Sequence, residues 1–407
     1  MNPFQLNLRH LRGLLEICEV GSVSAASEKL NISQPALTQG VVKLEAQLGH
    51  VLFERRSNGM IPTEIGRIVA HRVELAFEHL KGGVKALNIP AFRVDRRLNM
   101  TQIRAFLAVI QAGSIAAASV KIELSQPAVH RAVRELEDVL QRSLIERHGR
   151  GVTVNFAGKR FSRSCRLAVG ELQSAFADIG LDAQRKTLAV GTTPLARAYL
   201  VPEAMATALL DDPRIGFQVS EGNWGDLVEL LRDGLIDVIV GELPEHDSPD
   251  LIKTHLSDES AIVVAGRQHP LANSDRVVDE NVLAKFPWIV PPDNSPLKEQ
   301  WKEIFSQKEP TNTPIQCGSI MIIGRLLTSS NLLTIATPDQ VALQIRSGLL
   351  VKIRSAHDAQ KHPIGMTVRQ KWKPTEQQKK FLSALEKVSV TNRNPSGSAG
   401  IQAQWNT

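Results

Sequence analysis

Residues 21–56 read, in one-letter code, GSVSAASEKLNISQPALTQGVVKLEAQLGHVLFERR. Residues 113–148 read GSIAAASVKIELSQPAVHRAVRELEDVLQRSLIERH and align with the first stretch without a gap. The wider alignment sets Arg12 to Gly66 against Arg104 to Gly158 at a shift of about 92 residues, with roughly a third of the positions identical. A register kept over that length indicates a duplicated structural unit.

Each copy predicts short helices separated by turn residues, followed by one long helix. In the first copy Leu11, Leu14 and Leu15 recur at helical spacing, and Gly21 with Ser22 interrupts the pattern. Small alanines at residues 25 and 26 allow the second helix to approach its neighbour closely. This succession of two short helices and a third is typical of a helix-turn-helix.

The third helix of each copy carries a polar face. Ser33 is predicted to cap its N-terminus, and Pro35 is tolerated in the first turn because its missing N–H needs no partner there. The apolar residues face inward, while Gly40 weakens the helix by about 1 kcal/mol relative to Ala. The polar face of the first copy consists of Gln34, Thr38, Gln39 and Lys43, and that of the second includes His130, Arg131 and Arg134.

The shared Gly-Ser, Ala-Ala, Ser-Gln-Pro-Ala, Leu-Glu and, in the first copy, Leu-Phe-Glu-Arg residues resemble the N-terminal module of LysR-type transcriptional regulators. The resemblance implies a winged helix-turn-helix whose third helix enters the major groove. Gly59 and Gly151 would close the turns of the two wings. The implied DNA-binding residues are Ser33, Gln34, Pro35, Ala36, Thr38, Gln39, Lys43, Arg55 and Arg56 in the first copy, and Ser125, Gln126, Pro127, Ala128, His130, Arg131, Arg134, Arg147, His148 and Arg150 in the second. An alanine-rich three-helix bundle without DNA binding is the alternative, and any single side chain here contacts either a base or only phosphate.

The charge distribution favours nucleic acid as the partner of the N-terminal half. Up to Gly180 about 24 Lys and Arg stand against about 16 Asp and Glu, an excess expected of a DNA-binding end. The excess is modest, so a few placed groups and helix N-terminal amides are expected to make the phosphate contacts.

The long helix is duplicated as well. Ile65, Val69 and Val73 begin an apolar stripe that steps by three and four residues, and Ala157, Phe161 and their successors repeat it. In the LysR family such a linker helix pairs antiparallel with its twin from another subunit. Two in one chain lead to the hypothesis of an intramolecular pseudo-dimer that recognises an asymmetric DNA site, with Pro90 in a short connector. The alternatives are that each stripe packs only on its own small domain, or that one copy is a spacer that does not contact DNA.

After Gly180 short apolar strands alternate with helices, which predicts a parallel sheet covered by helices. Two lobes crossed twice by the backbone are similar to the periplasmic-binding-protein-like effector domain of the same family. The predicted fold is therefore multidomain: two all-α winged helix-turn-helix modules with linker helices, followed by a two-lobed α/β effector domain. The predicted ranges are 1–62, first winged helix-turn-helix; 63–88, first linker helix; 89–97, connector; 98–154, second winged helix-turn-helix; 155–181, second linker helix; 186–259 and 364–390, lobe I; 260–363, lobe II; and 391–407, a disordered tail.

Ligands of such open sheets bind outside the carboxyl ends of the strands, where loops and helix N-termini converge. Thr192 and Thr193 follow the first strand, where they either hold a polar effector or simply cap a helix. Arg197 pairs either with an anionic effector or, more ordinarily, in a salt bridge. The candidate effector-binding residues are Thr192, Thr193, Arg197, Gly222 and Asn223 from lobe I, and Pro291, Ser295, Ser319 and Thr337 from lobe II.

Other classes of function have no support in the sequence. No segment has the apolar length of a membrane span or the pattern of a secretion signal, so we expect a cytoplasmic protein without a membrane partner. The three cysteines lack metal or redox spacing and are expected to be buried free thiols, with a thiol sensor as the alternative. No phosphate loop or nucleophile elbow is present, and we expect no enzyme activity, cofactor or bound metal.

The sequence thus predicts a DNA-binding transcriptional regulator of the LysR type, controlled by a small-molecule effector between two lobes. Its expected partners are double-stranded DNA, the effector, further copies of the chain in a dimer or tetramer, and RNA polymerase. The alternatives are a constitutive DNA-binding protein without a working effector pocket, and a two-lobed solute-binding or enzymatic domain tethered to DNA.

Overall fold

The computed structural model describes residues 1–56, 59–148, 151–181, 187–273, 277–293, 295–305, 310, 312–353 and 361–393. The chain divides into two compact units. The N-terminal unit comprises residues 1–186 with residues 232–235, and the C-terminal unit comprises residues 187–231 and 236–407.

The N-terminal unit contains the same succession of elements twice: three helices, a two-stranded hairpin and a long helix. The first copy consists of α1 (Leu8–Val20), α2 (Val23–Leu30), α3 (Gln34–Leu48), β1 (Phe53–Arg56), β2 (Gly59–Pro62) and α4 (Glu64–Ala86). A short helix, α5 (Val94–Arg97), lies in the connector. The second copy consists of α6 (Met100–Ala112), α7 (Ile115–Ile122), α8 (Gln126–Leu140), β3 (Ile145–His148), β4 (Gly151–Val154) and α9 (Phe156–Asp178). We call α1–β2 and α6–β4 the first and second heads.

Capping residues set the start of the third helix in each head. The Ser33 hydroxyl accepts a hydrogen bond from the backbone N–H of Ala36 at 3.4 Å, as the sequence predicts. Ser125 accepts from Ala128 in the same way, also at 3.4 Å. Because the cap satisfies an amide that lacks an intrahelical partner, both helices begin at the same position of the repeat.

Each wing is fixed to the turn before the second helix. Gly21 ends α1 in the left-handed region with φ 71°, and its carbonyl oxygen accepts from the N–H of Met60 in β2 at 2.8 Å. Gly113 and Val152 repeat this contact at 2.8 Å. Gly59 has φ 126°, and a Cβ there would lie 2.4 Å from the Gly21 carbonyl oxygen. A side chain at residue 59 would therefore separate wing and turn.

One continuous apolar core runs through both heads, α4 and α9. Within this core the two copies distribute side-chain volume differently between two positions that face each other. A Cβ on Gly13 would lie 2.6 Å from Leu37, whereas the counterparts of these residues are Ala105 and Val129, both fully buried. The larger residue on one helix is thus matched by the smaller one on the other, which keeps the packing dense in both heads.

The helices α4 and α9 pack against each other within one chain. Gly83, near the end of α4, lies against Ser164 and Phe161 near the start of α9. Arg72, nearer the start of α4, bonds Glu171 and Asp178 toward the end of α9. The pair is therefore antiparallel, and the interpretation in which each long helix packs only on its own head is wrong.

The C-terminal unit contains a five-stranded sheet in the order β6-β5-β7-β14-β8. These strands are β5 (Thr187–Thr192), β6 (Gly216–Glu221), β7 (Val238–Glu242), β8 (Leu251–Glu259) and β14 (His362–Arg369). The pairs of β5 with β6 and β7 are parallel, as predicted, but β14 runs antiparallel to both β7 and β8. Strand β8 was not predicted, because it lies at the sheet edge and lacks an apolar run. Five of its nine residues are polar and either half-buried or exposed, among them Lys253 and His255.

The second sheet corrects the parallel-sheet prediction for lobe II. Its strands β12 (Leu333–Ala336) and β13 (Leu350–Ile353) both pair antiparallel with the central β9 (Ile262–Gly266). The short strands β10 (Ile289–Val290) and β11 (Ile315–Gln316) do pair in parallel. Buried apolar runs look alike in either orientation, so periodicity alone cannot give the strand direction.

Helices cover the sheets and close the unit. They are α10 (Leu200–Asp211), α11 (Trp224–Arg232), α12 (Glu280–Leu283), α13 (Pro296–Ile304), α14 (Ile320–Thr328), α15 (Pro338–Arg346) and α16 (Glu376–Arg393). Helix α16 includes residues 391–393, where the sequence predicts a disordered tail, and residues 394–407 lie outside the described part of the chain. None of the helices in the described ranges combines the length and apolar character that a membrane span requires.

Candidate DNA interface and effector cleft

The predicted reading face of the first head is presented by α3. Gln34, Gln39 and Lys43 are exposed, and so are Pro35 and Ala36 in the first turn. Thr38 is half-buried, and its hydroxyl donates to the backbone carbonyl of Gln34 at 3.0 Å. Gln39 and Lys43 are therefore the side chains with most freedom to reach a base edge, while the capped N-terminus offers amides to phosphate.

The second head presents a more cationic face. Gln126, Pro127, Arg131 and Arg134 are exposed on α8, whereas Ala128 and His130 are half-buried. An open groove of α8 and the start of α7 is lined by Ile115, Gln126, Pro127, His130, Arg131, Arg134, Glu135 and Asp138. Two guanidinium groups beside a concave surface suit guanine edges and phosphates, so the two heads offer different chemistry to DNA.

Of the two cations predicted in the first wing, one is paired with a carboxylate. Arg55 is exposed, but Arg56 forms an ion pair with Glu54 at 2.9 Å. In the second wing His148 Nε2 lies 3.7 Å from a Glu146 carboxylate oxygen. The side chain of Arg147 and the whole of Arg150 lie outside the described residues. The carboxylate beside Arg56 reduces the attraction of this side chain for phosphate, because part of its positive charge is already neutralised.

Gly40 has a packing role in addition to its low helix propensity. It is buried, and a Cβ at this position would lie 3.0 Å from the imidazole ring of His10. Burial, followed by the nearby charge of Lys43, lowers the pKa of His10. Gly40 thus makes room for a neutral imidazole under the reading helix, and it takes no part in the polar face.

In the C-terminal unit Thr192 and Thr193 are buried at the carboxyl end of β5. The Thr193 N–H donates to Val240 of β7 at 3.2 Å, and Thr193 Oγ1 is a buried hydroxyl oxygen without a hydrogen-bond partner among the described residues. The alternative of helix capping is wrong, since a turn separates Thr193 from α10 and the N-cap of that helix is Tyr199. A buried hydroxyl without a partner is a costly arrangement unless water or a ligand supplies one.

Arg197 connects the two lobes. Its guanidinium donates to Glu221 at the end of β6, at 2.9 Å, and to the backbone carbonyl of Gly318 at 3.2 Å. The salt bridge expected from the sequence is therefore present. The bond to Gly318 brings Arg197 next to Ser319, the N-cap residue of α14, whose hydroxyl makes no capping bond.

The remaining candidates are mostly occupied by local structure. Asn223 accepts from the N–H of Asp226 at 3.0 Å and so caps α11, while Gly222 donates from its backbone to Thr192 at 3.2 Å. Ser295 caps α13, and Thr337 caps α15 in a reciprocal capping box with Gln340. No hydrogen bond or ion pair among the described residues joins Pro291 or Ser295 to the other candidates. The candidate effector site that remains comprises Thr192, Thr193, Arg197, Gly222, Ser319 and Thr337, and we call it the cleft.

Two polar contacts near this cleft escaped prediction. Gln340 Nε2 donates to the carbonyl oxygen of Pro194 across the lobes at 3.1 Å. Burial, together with the charge and hydrogen bond of Asp339, raises the pKa of Glu259 to about 8. The sequence signal for the role of Gln340 was the Thr-Pro-Asp-Gln sequence at 337–340, which is a capping box. The sequence carried no signal for the second, because Glu259 lies on the edge strand that periodicity missed.

The folds of the two units define a class: DNA-binding winged helix-turn-helix heads combined with a two-lobed α/β ligand-binding domain. The family model of the bacterial regulatory helix-turn-helix protein, lysR family, matches twice, at residues 8–67 and 100–159. The LysR substrate binding domain model matches residues 182–389. The chain belongs to the LysR family of transcriptional regulators, which bind DNA and small-molecule effectors and are not enzymes.

Known relatives and solved structures agree with this assignment. The chain is 28% identical to the HTH-type transcriptional regulator GalR of Pseudomonas putida over 370 residues, 89% of this chain and 92% of that protein. It is 28% identical to the regulator PcaQ of Agrobacterium fabrum over 69% of this chain and 92% of that protein. A full-length OxyR variant from Pseudomonas aeruginosa shares the fold, with a TM-score of 0.56 and 19% identity over 72% of this chain and 94% of that one.

Proposed function

We propose that both heads of one chain read DNA together, so that a single polypeptide recognises an operator with two unlike halves. The observation that carries the proposal is the packing of α4 on α9 within the chain, which holds two heads in one unit. The two reading faces differ in sequence and charge, with Gln39 and Lys43 in the first and Arg131 and Arg134 in the second. Unlike faces select unlike half-sites.

A selection from random DNA with the full chain tests this proposal. We expect Gln39→Ala/Lys43→Ala to relax the preference at one half of the selected site, and Arg131→Ala/Arg134→Ala at the other half. Each lost base contact costs about 1–3 kcal/mol. The matched control is Lys81→Ala, which removes an exposed charge from α4 away from both reading helices. A Gln39→Ala/Lys43→Ala chain that binds and selects DNA like the parent chain would favour the alternative in which one copy is a spacer that does not contact DNA.

We further propose that the effector binds in the cleft defined above and that its carboxylate or hydroxyl groups meet Thr193 and Arg197. The support is the unpartnered buried hydroxyl of Thr193 and the bridging guanidinium of Arg197. The effector must bind one arrangement of lobes more tightly than another, since equal affinity shifts no equilibrium. The resulting change would alter the spacing or angle of the heads on DNA, in assemblies of the chain that also meet RNA polymerase.

A thermal-shift screen of small carboxylates, aromatic compounds and sugars tests the cleft, because a ligand of the folded state raises the unfolding temperature. A hit should lose its shift with Thr193→Val, which keeps the side-chain shape but removes the hydroxyl. Thr187→Val, at the exposed start of β5, is the control. A shift unaffected by Thr193→Val would place the ligand elsewhere, and a screen without hits would favour the constitutive DNA-binding alternative.

A further inference from the structure

We infer that a buried ion cluster, formed by Arg72 with Glu171 and Asp178, makes α4 specific for α9 and prevents either helix from pairing with its own copy in a second chain. Arg72 Nε donates to Asp178 and its terminal nitrogen donates to Glu171, both at 2.8 Å. The side chains of Arg72 and Glu171 are only 6% and 9% exposed, and that of Asp178 is 18% exposed. We use "ion cluster" for these three residues below.

The ion cluster breaks the symmetry of the repeat. At the shift of about 92 residues the counterpart of Arg72 is Ser164, that of Glu171 is His79 and that of Asp178 is Ala86. Ser164 lies against Gly83, so the equivalent place on the other side of the pair holds a small hydroxyl and a glycine. The two ends of the α4–α9 contact are thus alike in backbone but unlike in charge.

This asymmetry distinguishes the three pairings that a duplicated linker helix allows. With two copies of α4, the Arg72 of each chain would face Gly83, His79 and Ala86 of the other and would lose both carboxylates. With two copies of α9, Glu171 and Asp178 would face Ser164 and Phe161 without a guanidinium. A buried charge that loses its partner is strongly destabilising, whereas α4 with α9 satisfies all three groups.

The partner that fits α4 is therefore α9, and the connector through Pro90 supplies it from the same chain. In a second copy of the chain only α9 carries the matching pair of carboxylates, and a relative with one head and one linker helix presents none unless it has them at these positions. Charged groups used in this way set the choice of partner more than the strength of pairing. The inference concerns helix pairing only and holds whether or not the two heads read unlike half-sites.

Chemical cross-linking of the full chain tests the inference without DNA. Gly82 and Ser164 suit thiol probes, because a Cβ on Gly82 meets no atom within 4 Å and its neighbour Gly83 lies against Ser164 across the helix pair. In a Cys317→Ser background, a short bis-maleimide should join Gly82→Cys to Ser164→Cys within one chain, as shown by mass. Gly82→Cys alone should give no covalent dimer. The remaining native thiols interfere little, because burial raises the pKa of both Cys18 and Cys165.

Charge reversal then decides whether the ion cluster sets the pairing. Arg72→Glu sets like charges together, so we expect the within-chain product to fall at least tenfold. The matched variant Arg72→Glu/Glu171→Arg/Asp178→Arg restores opposite charges and should return the parent pattern. An unchanged within-chain yield in Arg72→Glu would overturn the inference.

A complementation experiment covers the case in which Arg72→Glu does not fold alone. The Arg72→Glu chain carrying Gly82→Cys is refolded together with a Glu171→Arg/Asp178→Arg chain carrying Ser164→Cys. Complementary charges now lie in different chains, so we expect a cross-link between the two chains that neither forms alone. Failure of the mixture to give this product, while the fully reversed single chain folds, would contradict the inference.

Discussion

The side-chain amide of Gln340 joins the two lobes of the effector domain through a hydrogen bond to the carbonyl oxygen of Pro194, 3.1 Å away. The oxygen of the same amide accepts from the backbone N–H of Thr337 at 3.0 Å, so both ends of the side chain are used. Pro194 directly follows Thr193, whose hydroxyl lacks a partner. The hydrogen bond from Gln340 to Pro194 thus links the backbone next to Thr193, the proposed effector-binding residue, to the start of α15 in the other lobe.

Two substitutions at residue 340 separate the cross-lobe bond from the helix cap. Gln340→Glu keeps an acceptor for Thr337 but loses the donor to Pro194, and Gln340→Ala loses both. We expect Gln340→Glu to lower the free energy of unfolding by about 1–3 kcal/mol, because the half-buried carbonyl oxygen of Pro194 loses its donor. Gln340→Ala should lower it further by the loss of the cap. Urea unfolding measures both, with Gln344→Ala on the same helix as the control, and a Gln340→Glu protein as stable as the parent would contradict the assignment.

The close contact at the base of each wing predicts that two equivalent glycines cannot be replaced. A Cβ on Gly66 would lie 2.1 Å from the carbonyl oxygen of Leu52, and one on Gly158 would lie 2.0 Å from that of Leu144. Backbone atoms cannot swing aside, so Gly66→Ala and Gly158→Ala should each destabilise the N-terminal unit by about 1–3 kcal/mol.

The exposed glycine of α4 provides the matched control for these two variants. Gly82→Ala meets no atom within 4 Å and should stabilise the helix by about 0.5–1 kcal/mol, since alanine has the higher helix propensity. Thermal unfolding of the three variants should therefore give shifts of opposite sign. Shifts of the unfolding temperature with the same sign in all three variants would mean that the contacts at the base of the wings do not exclude a side chain at residues 66 and 158.

The raised pKa of Glu259 predicts a pH dependence of stability. Burial and Asp339 raise this pKa from 4.5 to about 8, so between these values the folded chain keeps a proton that the unfolded chain releases. The free energy of unfolding should therefore fall as the pH rises toward 8, and the loss should be complete above that pH. Measurement from pH 7 to 9 avoids most of the titration of unfolded histidines.

The Glu259→Gln variant identifies the group responsible. It cannot ionise, so its urea midpoint should change less between pH 7 and 9 and should exceed that of the parent at pH 9. Glu376→Gln removes a carboxylate from the exposed start of α16 and should keep the parent's dependence. A parent and a Glu259→Gln protein with the same pH profile would show that Glu259 ionises normally in the fold.

The sequence predicted the heads well because their determinants are local. The Ser33 cap, Gly21 and the apolar stripe of α3 each act within a few residues, and duplication shows every one of them twice. Local patterns also located most strands of the C-terminal unit. Strand direction and the edge strand β8 could not be predicted, since both depend on neighbours distant in the chain.

The residues of the candidate effector site could be proposed from the sequence only in part, for the same reason. Polar groups at strand ends pointed to Thr193 and Arg197, but whether a hydroxyl caps a helix or lacks a partner depends on where the next helix begins. The ion cluster could not be predicted from the sequence. An apolar stripe shows neither that Arg72 faces the partner helix nor which carboxylates lie opposite it. Long-range charge pairing requires the packed structure.

The three thiols are expected to differ widely in reactivity. Cys165 is fully buried in α9, and burial raises its pKa; burial also raises the pKa of Cys18 to about 11. Thiolates are the reactive form, so both should resist maleimide at pH 7.5, while the half-buried Cys317 reacts first. Cys317→Ser should abolish the fast labelling of the native chain, and urea should expose all the remaining thiols.

The slow labelling of Cys165 should report how often α4 and α9 separate, because Cys165 follows Ser164, which lies against Gly83 of α4. We therefore expect Arg72→Glu to speed labelling of Cys165 but not of Cys317, and equal acceleration of both would indicate global unfolding instead.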